Sequence, residues 1–164
     1  MIILGIDPGY ALLGYGIIEK IGNTIKVLDY GVIETTKKDT IPVRLKIIYD
    51  GVKYLIEKYK PQAIAMEELF FQHNQTTVIN VAQARGVISL ASVEGCSKLY
   101  EYTPMQIKQA LTGYGKAEKK QVQYMVKAIL NLKEIPKPDD AADALAVAIT
   151  HAQSNQLLGN FDIK

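Results

Sequence analysis

A chain of 164 residues, 48% hydrophobic and 22% charged, has enough apolar material for one domain with a sizeable core. Its single cysteine, Cys96, rules out an internal disulfide and a cysteine-based zinc cluster and suits a reducing cytoplasm. The opening residues lack the basic start of a signal peptide, no apolar run nears the ~20 residues of a membrane span, and a net charge of +2 selects no partner by itself.

The first third reads as a β-meander. Ile2 to Asp7 is an apolar strand. Leu13 to Lys20 is a second strand, after the breaker Pro8-Gly9-Tyr10. Gly22-Asn23 is a hairpin-turn signal, and Thr24 to Thr35 forms a third strand. Leu45, Ile48, Val52, Leu55, Ile56 and Tyr59 then follow the spacing of one helix face, which Pro61 stops. Gln62 to Glu67 is a short buried strand. A strand, a helix and a strand in that order imply a crossover and parallel pairing.

Phe70 and Phe71 stand in a loop that also holds His73. Thr76 to Val93 is a helix whose polar face is poor in charge, a face suited to cover by another subunit. Leu99 to Tyr102 is a further strand. Thr103-Pro104 starts a helix, with threonine at the N-cap and proline in the first turn, and Gly113-Tyr-Gly115 breaks it. Ala117 to Leu132 is a helix with Val122, Met125, Val126 and Ile129 facing the core. Pro136-Lys-Pro138 forces an extended linker. The last helix runs from about Asp140 to His151. One domain over residues 1–156 is expected, with residues 157–164 a frayed tail.

Charge is unevenly spread. Between Lys98 and Lys137 eight lysines face three acids, Glu101, Glu118 and Glu134. A basic third beside an acidic remainder suits a polyanion next to a metal site, and a solvated lysine face is the plainer reading.

The carboxylates say more. Asp7 and Glu67 each end an apolar strand, where acids are rare unless paired or bound to metal. In mixed sheets, sites form beyond the carboxyl ends of strands, and neighbouring first and fourth strands would set these two acids side by side. Asp140 and Asp143, three residues apart, share one face of an alanine-rich helix. Hard oxygen donors without a histidine or cysteine cluster point to Mg²⁺ or Mn²⁺. Two such ions ~4 Å apart would serve phosphodiester hydrolysis. Asp139 follows Pro138 and is placed to be the helix N-cap. Glu68 adjoins Glu67, and sequence order favours Glu67 as the ligand because it terminates the apolar strand. Arg85 can pair a carboxylate or sit at a subunit contact. Tyr10 and Tyr15 read as packing residues, and His73 and His151 as surface or helix-end residues.

The order of motifs carries a resemblance. Ile3-Leu-Gly-Ile-Asp-Pro-Gly9 with Gly14-Tyr-Gly16, Met66-Glu-Glu-Leu-Phe70, Gln83-Ala-Arg-Gly86, Lys108-Gln109, Gly113-Tyr-Gly-Lys-Ala-Glu-Lys119 and Asp140-Ala-Ala-Asp-Ala-Leu-Ala146 with Ile149-Thr-His151 resemble the RuvC family of Holliday junction resolvases over almost the whole chain. The resemblance implies an α/β, ribonuclease-H-like fold, a mixed five-stranded sheet flanked by helices. It also implies a homodimer that needs Mg²⁺, two ions per site with Mn²⁺ able to substitute. Its activity would be paired symmetric nicks across a four-way DNA junction, leaving 5′-phosphate and 3′-hydroxyl ends. The family's four acids fall on Asp7, Glu67, Asp140 and Asp143. Its base-pair-opening aromatic falls on Phe70, and its DNA-holding cations on Lys108 and Lys119, with Lys116 in the loop between. A bacterial cytoplasmic setting and the RuvA–RuvB branch-migration proteins as partners are implied with it.

A ribonuclease-H-like enzyme acting on RNA–DNA hybrid and an inactive junction-binding scaffold are the rival readings, and the intact acid set argues against the scaffold. Actin-like ATPases also open on an apolar strand with Asp-x-Gly. Their duplicated fold does not fit in 164 residues.

Overall fold

The computed structural model describes residues 1–69, 75–95 and 98–154. Phe70, Phe71, His73, Cys96 and the 157–164 tail lie outside the described residues. The elements are β1 (Ile2–Asp7), β2 (Leu12–Ile21), β3 (Thr24–Glu34), α1 (Ile41–Tyr59), β4 (Ala63–Glu67), α2 (Gln75–Gly95), β5 (Leu99–Tyr102), α3 (Pro104–Thr112), α4 (Lys119–Ile129) and α5 (Asp139–Gln153).

β1, β2 and β3 form the expected antiparallel meander, turned at Gly22 with φ of 58°. The α1 crossover brings β4 alongside β1 in parallel, and β5 adds in parallel to β4, giving the order β3-β2-β1-β4-β5. Side chains alternate across this sheet. Leu4, Ile6, Ile17, Ile64 and Met66 pack under Ile48, Val52 and Leu55 of α1 and Ala84 and Ile88 of α2. Ile3, Ile18, Ala63 and Ala65 pack against α5, with α3 and α4 closing over it.

The alanine-rich α5 is therefore a central helix, covered on both sides, and nearly every residue from Ala141 to Ala152 is buried. Glycines let it come this close. A Cβ on Gly5 would stand 2.2 Å from the Ala144 carbonyl oxygen, and one on Gly14 would stand 2.0 Å from that of Asp140. Only a bare Cα fits between helix and sheet at these two points.

α1 ends at Tyr59, ahead of Pro61 as read, with Lys60 left-handed (φ 48°) as its C-cap. Two helix starts differ from the sequence reading. α4 begins at Lys119 instead of Ala117, because Glu118 and Gln121 form a capping box that satisfies its first N–H groups. Pro138, and not Asp139, is the N-cap of α5, so Asp139 lies inside the first turn with its side chain free to meet lysines. Thr103 behaves as expected: its hydroxyl accepts from Gln106 N–H at 3.1 Å while Gln106 Oε1 accepts from Thr103 N–H at 2.8 Å.

Candidate active site

Asp7 is the last residue of β1 and Glu67 the last of β4. The parallel register pairs Ile6 with Met66, which places the two acids as neighbours across the strand ends. On the other side Asp7 pairs with Gly14, and over Gly14 sits the backbone of Asp140. The first turns of α5 thus bring Asp140 and Asp143 to Asp7, and the four sequence-predicted acids come from three segments to one end of the sheet.

Their electrostatics follow from that crowding. Burial, followed by repulsion from Glu67, Asp143 and Asp140, pushes the Asp7 carboxyl up to about 8, and Lys119 only partly relieves it. Burial likewise raises Glu67, with Asp143 adding to it and Lys119 and Lys108 opposing. Burial raises Asp143 against the hydrogen bond from Lys119. Such a set is short of positive charge.

The cations present are lysines. Lys119, the first residue of α4, donates to Asp143 Oδ2 at 2.7 Å and lies 3.7 Å from Asp139 Oδ2. Lys108, on α3, lines the same cleft. The cleft, about 270 Å³, has Glu67, Asp143, Lys108 and Lys119 at its polar side and Pro104, Ile107, Val122 and Ala146 as its apolar floor. Lys116 is exposed on the loop joining α3 to α4. Phe70 lies outside the described residues, just beyond Leu69.

Two residues support the site in ways their sequence context left open or hid. Arg85, from α2, donates to the backbone carbonyl of Glu67 at 2.6 Å and pairs with the Glu101 carboxylate, so it clamps β4 to β5 at the site. Arg44 is buried and lies over the Tyr10 ring at 3.7 Å, while its Nε donates to Thr35 Oγ1 at 2.9 Å. Thr35 in turn donates to the Tyr10 carbonyl at 2.7 Å, which fixes the turn that follows Asp7. Tyr10 is thus a packing residue, as read. His151 lies in the last turn of α5, the helix-end position read for it, and is half-buried, with Nδ1 2.8 Å from the Tyr102 hydroxyl and its ring 4.3 Å from Tyr100. The carboxylate partner read for Arg85 is Glu101, but its hold on a main-chain carbonyl left no pattern in the sequence.

The donor set fits hard divalent cations: four carboxylates, three of them raised by burial and repulsion, with hard oxygens and no thiolate among the described residues. Among the described residues no group of three His, Cys, Asp or Glu side chains is drawn up in metal-holding geometry.

A mixed sheet of this order, with acids at the ends of its first and fourth strands and on the helix crossing it, defines a ribonuclease-H-like nuclease. The model of the family "Crossover junction endodeoxyribonuclease RuvC" matches residues 3–151. The RuvC of Alkaliphilus metalliredigens is 57% identical over 164 residues, covering 100% of both chains. The structure of Thermus thermophilus RuvC superposes with a TM-score of 0.90 at 36% identity, covering 99% of this chain and 100% of that one. The same protein in complex with a Holliday junction substrate gives 0.91 at 38% identity, covering 96% of each. This chain belongs to the RuvC family of crossover junction endodeoxyribonucleases.

Proposed function

We propose that this chain resolves four-way DNA junctions by two symmetric nicks, each a hydrolysis leaving a 5′-phosphate and a 3′-hydroxyl. The observation that carries the chemistry is the convergence of Asp7, Glu67, Asp140 and Asp143 beside two lysines. These four acids would hold Mg²⁺, or Mn²⁺ in its place, and a pair of such ions supplies water activation and stabilisation of the leaving oxygen. Lys108 and Lys119 neutralise the phosphate entering the cleft. Lys116 adds a backbone contact from the exposed loop, and Phe70, by resemblance, opens the base pairs at the crossover.

Two opposed nicks need two sites related by a two-fold axis. Ile79, Leu90 and Val93 of α2 are exposed by 59%, 55% and 67% and fall on one helix face. That face supports a homodimer built on α2. The RuvA–RuvB machinery as a partner and a bacterial cytoplasmic setting follow from the family resemblance. No helix among the described residues is long and apolar enough to cross a membrane.

The test is Mg²⁺-dependent cleavage of a mobile four-way junction, with linear duplex and RNA–DNA hybrid as controls. Asp7→Asn is expected to bind the junction and to lose cleavage by on the order of 10²–10³-fold. Wild-type nicking by that variant, or preference for the hybrid, overturns the reading.

A further inference from the structure

Asp139 has no place in the four-acid set and does not cap its helix. Its surroundings are nevertheless specific. Asp139 and Asp143 are one turn apart on α5 and project from the same face. Between them stands Lys119, 2.7 Å from Asp143 Oδ2 and 3.7 Å from Asp139 Oδ2. The other oxygen of Asp139 is 3.1 Å from Lys137 Nζ. Asp139 thus has one oxygen anchored by Lys137 and the other turned to Lys119.

That arrangement resolves a conflict inside the site. Lys119 occupies one oxygen of Asp143, and its charge there opposes a second cation on the same carboxylate, yet it must remain at the cleft to meet a phosphate. An ammonium without a second anion would have to stay on Asp143 and compete with the metal, or leave for solvent. A short swing of the Lys119 stem toward Asp139 frees Asp143 and keeps the charge at the cleft mouth. The stem has four rotatable carbons, and its side chain is 54% exposed, so the swing meets little packing.

We infer that Asp139 is a positioning residue, the alternate seat that takes Lys119 off Asp143 when a divalent cation binds. The inference rests on the four-acid metal reading above and concerns how that site is loaded. Acting through Lys119, Asp139 needs no contact with metal or DNA.

The experiment is Mn²⁺ binding to the full-length protein without DNA, followed by isothermal titration and by the loss of free-Mn²⁺ electron paramagnetic resonance signal. It is run as a cycle of Asp139→Asn in the native and in a Lys119→Met background. With Lys119 present, Asp139→Asn is expected to weaken Mn²⁺ binding by about 3–10-fold, equivalent to about 0.7–1.4 kcal/mol. In the Lys119→Met background the same change should alter binding by less than about twofold. Asp139→Glu, which keeps the anion, should bind as the native protein does. Equal weakening in both backgrounds means Asp139 acts only as a distant negative charge, and the seat is overturned. An absence of Mn²⁺ binding by the native protein overturns the metal reading itself, a result distinguishable from the first.

Discussion

At neutral pH the Asp7 carboxyl, with a pKa of about 8, keeps its proton in the folded chain unless a cation takes the proton's place. An unfolded chain releases that proton at the ordinary carboxylate value of 3.8. The folded state thus binds the extra proton between these values, and its stability falls as pH rises through the window. Metal-free protein is expected to melt lower at pH 8 than at pH 5 on this account. Asp7→Asn should be the more stable protein at pH 8, by on the order of 1–2 kcal/mol or a few degrees in Tm. Melting curves in chelator at both pH values check this, and an Asn variant that melts below the native protein at pH 8 contradicts it.

His151 works in the other direction. Burial, with Lys20 nearby, lowers it to about 4 from an ordinary 6.5. Here the unfolded chain takes up a proton that the folded one refuses, so stability is lost as pH falls from about 6.5 toward 4, by at most ~1.4 kcal/mol per pH unit. His151→Gln should flatten that limb while leaving Asp7's unchanged. The two effects oppose each other over the acid range, so each is read from the difference between its own variant and the native curve.

At the scale of elements, the site depends on how closely α5 lies on the sheet. Gly14→Ala pushes a Cβ into the Asp140 carbonyl and must lift the helix or spread the strands. It is expected to cost about 1–3 kcal/mol in stability. Because Gly14 is paired with Asp7, cleavage should fall at least as steeply as for a lost acid, with junction binding retained. Thr103→Ala removes the cap of α3, away from that contact, and should cost about 1 kcal/mol while cleavage per folded molecule falls far less than for Gly14→Ala. Urea melts paired with single-turnover cleavage separate the two. The carboxylates were readable because an acid that ends an apolar strand contradicts its surroundings. Gly14 was readable only as part of a motif, since its reason is the approach of a helix more than a hundred residues later. The α5 cap was misread because Pro138 and Asp139 are both acceptable there, and only the backbone decides. His151 is a helix-end residue as read, but its burial was not legible because the tyrosines that cover it, Tyr100 and Tyr102, come from another element.

For the whole molecule, the order of strands and helices followed from periodicity and breakers, and the meander, the crossover and the parallel pair stand as read. The assembly was less legible. The proposed dimer rests on a helix poor in charge whose Ile79, Leu90 and Val93 are exposed on one face. Sedimentation at micromolar concentration is expected to give a dimer. Leu90→Glu should shift it to monomer and replace paired nicks by single, unsynchronised ones. A Leu90→Glu protein that stays dimeric removes α2 as the interface.

The placement of α5 across β1 also bears on how the protein comes into being. Asp7 precedes its partners on Asp139–Gln153 by more than a hundred residues, so the site cannot close until α5 has joined the sheet. A fragment interrupted before residue 139 carries two of the acids and none of the helix that gathers them. Chains that stop short of α5 should therefore be inert toward DNA.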